Sequence, residues 1–297
     1  MFQKCKRNSG RIGPNIRMCV RGHSGGIYEK CEFLNCSKNE GVTDMVSHGN
    51  LEIKLCWSHD VSEKEVNDFI EIMNDVFGHT MNKSLFEKKY LNNIYGSSVL
   101  VFAYKDDKCV GVRAFWRNDI EDIKSFQPCD TAVLKEARGE GIFTKMTLKA
   151  LEEIGDDVLI YNFPNDNSLP GYLKLGWQVY TRKRYKIFNP FRDFSLIDKI
   201  PEDYLKWMLS DINSDFEKKY CYTKVLGRDL LIKQKRGDMY VIIGEIIGGN
   251  FRNLSKIKKR LLLTFSEKGY VGRGIVIVSK NMRSKVHIPI YKMDTLF

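Results

Sequence analysis

Apolar and polar positions alternate along LEIKLCW (51–57), which predicts a strand with one buried face. Ser62 then opens a stretch in which Val66, Phe69, Ile70, Met73, Val76 and Phe77 recur at helical spacing up to Gly78. A short second helix is expected around 85–91. SSVLVFAY (97–104) and KCVGVRAFW (108–116), joined through Asp106 and Asp107, predict a hairpin, and a further strand is expected over 125–134. Behind it Ile142, Phe143, Met146, Ala150, Leu151 and Ile154 form one helical stripe that Gly155 stops. DVLIYNF (157–163) has the continuous apolar character of a buried strand. Asn165, Asp166, Asn167 and Ser168 offer a cap for a short helix, with Pro170 tolerated in its first turn and Gly176 ending it. QVYTRKRYKIF (178–188) predicts another strand.

After Asn189 and Pro190 a second block begins. It predicts a helix at 202–209, strands at 220–225, 230–233 and 240–247, a helix at 254–266, and strands at 275–279 and 286–291. Three strands, a helix and a strand repeat the order from 98 to 163, so a weak internal duplication is expected. Residues 1–49, rich in Gly, Ser, Asn and Lys, keep no period and predict a mobile basic extension. The chain therefore divides into 1–49, a first domain over 50–190, and a second, smaller domain over 191–297.

Composition narrows this picture. At 297 residues, 43% hydrophobic and 29% charged, the chain has ample material for a core. No apolar run approaches the ~18 residues of a membrane span. The start, MFQKCKRNSG, is basic without the apolar stretch of a secretory signal, so a soluble cytoplasmic protein is expected. Eight cysteines include no C-x-x-C pair. Cys31 and Cys36 enclose four residues with His23 the nearby imidazole, which falls short of zinc spacing. Reduced thiols and no metal are expected. The net charge of +11 is uneven: +4 over 1–49, −2 over 50–197 and +9 over 198–297. A basic last third suits a polyanion, but without interleaved aromatic residues a solvated face is the preferred account.

The chemistry concentrates in KEARGEGIFTKM (135–146). A strand that breaks into Arg-Gly-x-Gly and runs into a helix exposes unpaired N–H groups, to which the helix dipole and Arg138 add positive potential. A Walker loop is excluded by the glycine spacing and by the order Thr144-Lys145. A dinucleotide fingerprint requires Gly or Ala where Thr144 stands, and it should open a βαβ order rather than follow hairpin strands. The form R-G-x-G-x-[GA] between a strand and a helix is left.

On these residues VLKEARGEGIF (133–143) resembles the coenzyme-A loop of the GNAT superfamily of N-acetyltransferases, over roughly residues 51–188. The resemblance implies an α/β chain with a mixed sheet, the GNAT acyl-CoA transferase fold, and acetyl-CoA as cosubstrate. Main-chain groups of Val133, Leu134 and Lys135 would face the pantetheine arm. The amides of Arg138, Gly139, Glu140, Gly141, Ile142, Phe143 and Thr144 would wrap the pyrophosphate. Phe143 departs from the small residue usual there, and core packing explains it equally well. NDNSLPGYLKLGW (165–177) resembles the family's Asn…Tyr-x-Lys-x-Gly-aromatic segment. It implies Asn165 and Asn167 on the pantetheine and Tyr172 near the sulfur. A phenol near ~10 can protonate a thiolate near ~8.5 as it departs. Alternatively Tyr172 places its ring in the core and no more.

Asp130, on the strand feeding the loop, is the candidate base for the acceptor amine; His79 lies near the acceptor side but reads equally as a loop histidine. No Ser/His/Asp grouping supports a hydrolase. In the second block GGNFRNLSK (248–256) lacks the R-G-x-G form. Either a degenerate GNAT-like half without coenzyme A or an unrelated α+β domain is expected there. Acetyl-CoA and a small amine are the expected partners, with no membrane, and nucleic acid is disfavoured. Amino sugars and nucleotide amino sugars are the favoured acceptors. Acetylation of a protein or peptide amine, and a non-catalytic acyl-CoA or nucleic-acid binding module, stay open.

Overall fold

The alternating residues of β1 (Leu51–Trp57) pair antiparallel with β2 (Val99–Lys105), Leu51 opposite Lys105 and Trp57 opposite Val99. In the computed structural model this is the start of one continuous sheet. The structure describes residues 50–78, 81–210, 220–248, 251, 254–258 and 260–293, all within one compact unit, Ser47–Phe297. The extension expected over 1–49, the Cys31/Cys36/His23 group and His79 lie outside the described residues.

β2 turns into β3 (Lys108–Arg117) through Asp106 and Asp107, whose φ values of 49° and 63° suit a tight hairpin. β4 (Ser125–Val133) continues the antiparallel order. Between β1 and β2, α1 (Glu63–Phe77) starts at a capping box of Ser62 and Glu65 and stops at left-handed Gly78. A short α2 (Lys83–Phe86) runs on into a π-helical turn, Glu87–Leu91. This side covers one face of the sheet, where Trp116 Nε1 donates to the carbonyl of Lys89. The helix α3 (Ile142–Ile154) covers the other, its Ile142 meeting the backbone of Gly111 so closely that a Cβ there would lie 3.3 Å from it.

β5 (Leu159–Asn162) lies parallel to β4 but shares only two register pairs with it, Ser125 with Leu159 and Phe126 with Ile160. Beyond them β4 has no strand partner on that side among the described residues. α4 (Leu169–Lys174) and β6 (Gln178–Ile187) follow. The remaining elements are β7 (Lys199–Ile200), α5 (Glu202–Leu209), β8 (Tyr220–Val225), β9 (Arg228–Arg236), β10 (Met239–Ile246), β11 (Ser255–Lys256), β12 (Leu261–Ser266) and β13 (Val271–Lys280). The strand order is β1-β2-β3-β4-β5-β13-β6-β12-β10-β9-β8-β11, with β7 beside β10. β13 thus sits between β5 and β6, antiparallel to both, with Val278 opposite Asn162 on one side and Val179 on the other. Residues 188–270 connect two strands that β13 makes neighbours.

Two expectations for the second block are corrected. In place of a helix over 254–266 stand the short strand β11 and the strand β12. Leu262, Leu263, Thr264 and Phe265 are all buried, so both faces of β12 are covered. Such a strand reads as an apolar run without the alternation that would identify it. In place of a strand over 286–291 the chain passes Pro289, which has no N–H, into a 3-10 turn at Ile290–Lys292. Without that helix the order seen from 98 to 163 is not repeated among the described residues. The two blocks also share a core: Trp207 of α5 lies 5.9 Å from Trp116 and donates to the carbonyl of Lys88.

Candidate active site

The loop between β4 and α3 is built on two left-handed glycines. After a 3-10 turn at Lys135–Ala137, Gly139 takes φ 90° and Gly141, the N-cap of α3, takes φ 74°. No atom lies within 4 Å of a Cβ at either, so backbone conformation, not lack of room, calls for glycine. No side chain caps α3, which leaves the amides of its first turn directed out of the helix. Arg138 is exposed, and its Nε donates to the carbonyl of Val133 across the base of the loop at 3.0 Å. Glu140 is tethered by Lys105 at 2.9 Å. Leu134 is buried and bonded to Val110, while Lys135 is exposed.

Past the residues it shares with β5, β4 is kinked. Val112 pairs with Ala132 and Ala114 with Cys129, so Asp130 and Thr131 together oppose Arg113. Asp130 takes φ 41°, a strained value for a residue with a side chain, and such strain concentrates at functional sites. On the α2 side its Oδ2 accepts from Lys89 Nζ at 2.8 Å and from the Tyr90 hydroxyl. Burial, and then the Asp130 charge, push the Tyr90 phenol well above its ordinary range.

The other side of the kink holds a polar group that the sequence reading passed over. Arg113 is fully buried. Its Nη1 donates to Thr131 Oγ1 at 2.7 Å and its Nη2 to the Tyr172 hydroxyl at 3.2 Å. The guanidinium lies 4.4 Å over the Phe143 ring. Among the described residues its Nε has no acceptor, and none of its partners is a carboxylate. Asn162, at the end of β5, donates its Nδ2 to the same Tyr172 oxygen at 2.6 Å. Tyr172 is itself buried, edge-on to Trp177 at 4.9 Å and to Phe143 at 6.3 Å. Two donors therefore reach the phenol oxygen from the protein, while its own proton has no acceptor among the described residues.

The structure brings Tyr172 and Phe143 together around Arg113 and places Gly139, Gly141, Ile142 and Thr144 at the start of α3. Phe143, larger than the residue usual in such a loop, covers both Arg113 and Tyr172. Asn165 and Asn167 stand apart at the exposed entrance to α4. There Asn165 Oδ1 accepts from the amides of Asn167 and Ser168, at 3.0 and 2.9 Å. Asn162, three residues earlier, makes the contact with Tyr172 instead. Arg113 left a signal in KCVGVRAFW, a charge amid an otherwise apolar strand; Lys89 and Tyr90 left none in their short helix. A cleft of about 420 Å³ between α1 and the β2–β3 turn, lined by Asp68, Glu71, Asp75, Asp106 and Asp107, reaches Leu134 but none of these groups.

The residues present fit a phosphate-bearing thioester. Uncapped helix amides and Arg138 suit the phosphates, and a buried guanidinium with an orphaned Nε lies at the gap between the strands. Among the described residues no group of three or more His, Cys, Asp or Glu could hold a metal, and no helix is long and apolar enough to cross a membrane.

Residues 58–180 match the family model of the acetyltransferase (GNAT) domain. Solved structures similar to this one include Escherichia coli ElaA, at 16% identity over 47% of this chain and 93% of that chain, TM-score 0.38. A GCN5-related N-acetyltransferase from Kribbella flavida is similar at 11% identity over 78% and 71%, TM-score 0.45. Eis1 from Mycobacterium abscessus is similar at 8% identity over 72% and 65%, TM-score 0.44. A search of curated proteins finds no match. Over residues 58–180 the chain thus matches a GNAT acetyltransferase domain.

Proposed function

We propose that this chain transfers the acetyl group of acetyl-CoA to a primary amine. The observation that carries the reading is the uncapped start of α3 behind two left-handed glycines, beside a parallel strand pair of only two register pairs, whose Asn162 at the end of β5 donates to Tyr172. The amides of Arg138 to Thr144 would hold the pyrophosphate, and main-chain groups of Val133, Leu134 and Lys135 would face the pantetheine arm. Acetyl-CoA supplies the activated carbonyl and a thiolate leaving group.

The amine nitrogen attacks the carbonyl carbon and the C–S bond breaks, its electron pair passing to sulfur. Tyr172 gives its proton to that sulfur, and Arg113 and Asn162 meet the charge left on the phenol oxygen. The nitrogen sheds one proton, for which Asp130 Oδ1 is available because Oδ2 takes both Lys89 and Tyr90. Tyr172 regains a proton from solvent, so amine and thioester become amide and thiol.

Calorimetry tests the first half of this reading. Acetyl-CoA should bind, and Arg138→Ala and Gly141→Asp should each weaken it at least about tenfold, about 1.4 kcal/mol. The aspartate would put both a strained φ and a like charge beside the phosphates. No binding of acetyl-CoA to the unaltered chain overturns the reading. A thiol-release screen over amino sugars, nucleotide amino sugars, polyamines and peptides tests the second half. We favour the amino sugars. Release with peptides alone would make the chain a protein acetyltransferase, and binding without release over the whole panel would make it an acyl-CoA binding module.

A further inference from the structure

We propose that Arg113 is a positioning residue for the leaving group, aiming the Tyr172 hydroxyl at the departing sulfur and bearing part of the charge that develops there. The inference rests on the acetyl-CoA reading above and goes beyond it in assigning this arginine a role.

Burying a guanidinium is unfavourable unless an anion or a full set of acceptors receives it. Arg113 is fully buried, yet its acceptors are two neutral hydroxyls, of Thr131 and Tyr172, and its Nε has none. Aromatic faces at 4.4 Å (Phe143) and 5.2 Å (Phe115) hold it from the sides without neutralising it. A guanidinium keeps its proton when buried, so relief by neutralisation is not open to it. Among the described residues no carboxylate therefore bonds this positive charge at the kink of β4. One of its N–H groups ends on the oxygen that would give up a proton.

That arrangement is unproductive until negative charge appears. With Asn162 and Arg113 both donating to the phenol oxygen, the hydroxyl proton is directed away from them. As the C–S bond breaks with its pair on sulfur, the proton moves from the phenol oxygen to sulfur. The charge transferred to that oxygen then lies 3.2 Å from Arg113 Nη2. The guanidinium thus gains its counter-charge during the step, the condition for stabilising the reacting state over the resting one.

Coenzyme A itself, the free thiol, provides a test without any acceptor. Its thiol should titrate, by the ultraviolet absorbance of the thiolate, about one pH unit or more lower when bound to the unaltered chain than in solution. Tyr172→Phe should abolish most of that shift, as should Arg113→Met, and Arg113→Lys should restore part of it. Arg113→Met placed on Tyr172→Phe should change nothing further, the signature of one residue acting through the other. An unshifted thiol on the unaltered chain overturns the proposal while leaving the acetyl-CoA reading intact. So does an Arg113→Met effect that adds in full to Tyr172→Phe. Failure of coenzyme A and acetyl-CoA to bind at all overturns the parent reading instead. Should Arg113→Met not fold, the same cycle with Arg113→Lys decides.

Discussion

Two buried cations meet β4 at its kink, one from each face of the sheet, and they are held in opposite ways. On the α2 side Lys89 donates to the carboxylate of Asp130. On the side of α3 and α4, Arg113 donates to the neutral hydroxyls next door, on Thr131 and Tyr172. Among the described residues the first has a carboxylate partner, whereas the second has none. A buried charge whose counter-charge is part of the fold belongs to the architecture. One whose counter-charge is missing marks where chemistry brings it. The kink places the two arrangements on adjacent residues, Asp130 and Thr131.

The comparison breaks or holds first on stability. Removing one member of a buried ion pair leaves the other uncompensated, commonly at 3–5 kcal/mol. Asp130 keeps some contact with solvent and the Tyr90 hydroxyl, which places Lys89→Met near the lower end, about 3 kcal/mol. In a chain of this size that is a fall in melting temperature of roughly 6–12 °C. A scanning calorimeter reads this directly. A change under about 1 kcal/mol would mean that the Lys89–Asp130 pair is not architectural.

A third buried cation sharpens the contrast. Lys292, on the 3-10 turn after β13, donates to the Tyr95 hydroxyl at 2.7 Å and lies 4.0 and 4.6 Å over the rings of Tyr95 and Tyr204. Burial pulls its ammonium down to about 7 from an ordinary 10.5, against the pull of Asp119 in the other direction. The groups facing it, Tyr95 and Tyr291, are pushed above the phenol range by burial and stay neutral here. Below about pH 7 the folded and unfolded chains both hold the proton, and the cost of burying the charge is fully present. Between about 7 and 10.5 the unfolded chain holds a proton that the folded chain has released. Stability contributed by this group therefore rises with pH, by at most about 1.4 kcal/mol per unit. Urea unfolding of the unaltered chain and of Lys292→Met at about pH 6.5, 7.5 and 8.5, spanning the folded value of about 7, should give a difference that shrinks as pH rises. A constant difference would mean that Lys292 keeps its proton throughout.

How much of this the sequence makes legible depends on whether partners are near in the chain. From Leu51 to Ile187, β1, α1 and α3 keep a readable period because each has one covered face, while β2, β3 and β5, buried on both faces, show as short apolar runs bounded by turn residues. The loop is legible for the same local reason: Arg138, Gly139 and Gly141 declare an anion-binding turn within a few residues. Tyr172 is legible as a motif residue, but its surroundings are not. Asn162, Arg113 and Phe143 reach it from β5, β3 and α3, and no local pattern relates them. Asp130 could be picked as a base from its place before the loop. Its ion pair with Lys89, 41 residues away, could not. β12, covered on both faces, is hidden as part of an expected helix; β13 is foreseen as a strand over 275–279, but its place between β5 and β6 is not, since its partners lie more than 80 residues earlier.

The smallest expected effect is the most telling about Arg113. Arg113→Met removes two hydrogen bonds to neutral hydroxyls, each about 1 kcal/mol net, and a cation over Phe143. It also removes a desolvated charge with an orphaned Nε, a cost of similar or larger size, and it fills the volume with an apolar chain. The terms oppose, and the ligand-free variant should melt within about 1 kcal/mol of the unaltered chain, roughly 2–4 °C. The difference should emerge only with ligand. Acetyl-CoA, whose sulfur bears no charge, should raise the melting temperature of both chains alike. Coenzyme A above the pH at which its bound thiol ionises should raise that of the unaltered chain more, since a ligand stabilises in proportion to its affinity for the folded form. A large loss in the ligand-free variant would instead place Arg113 with Lys89, as part of the architecture on both faces of the kink.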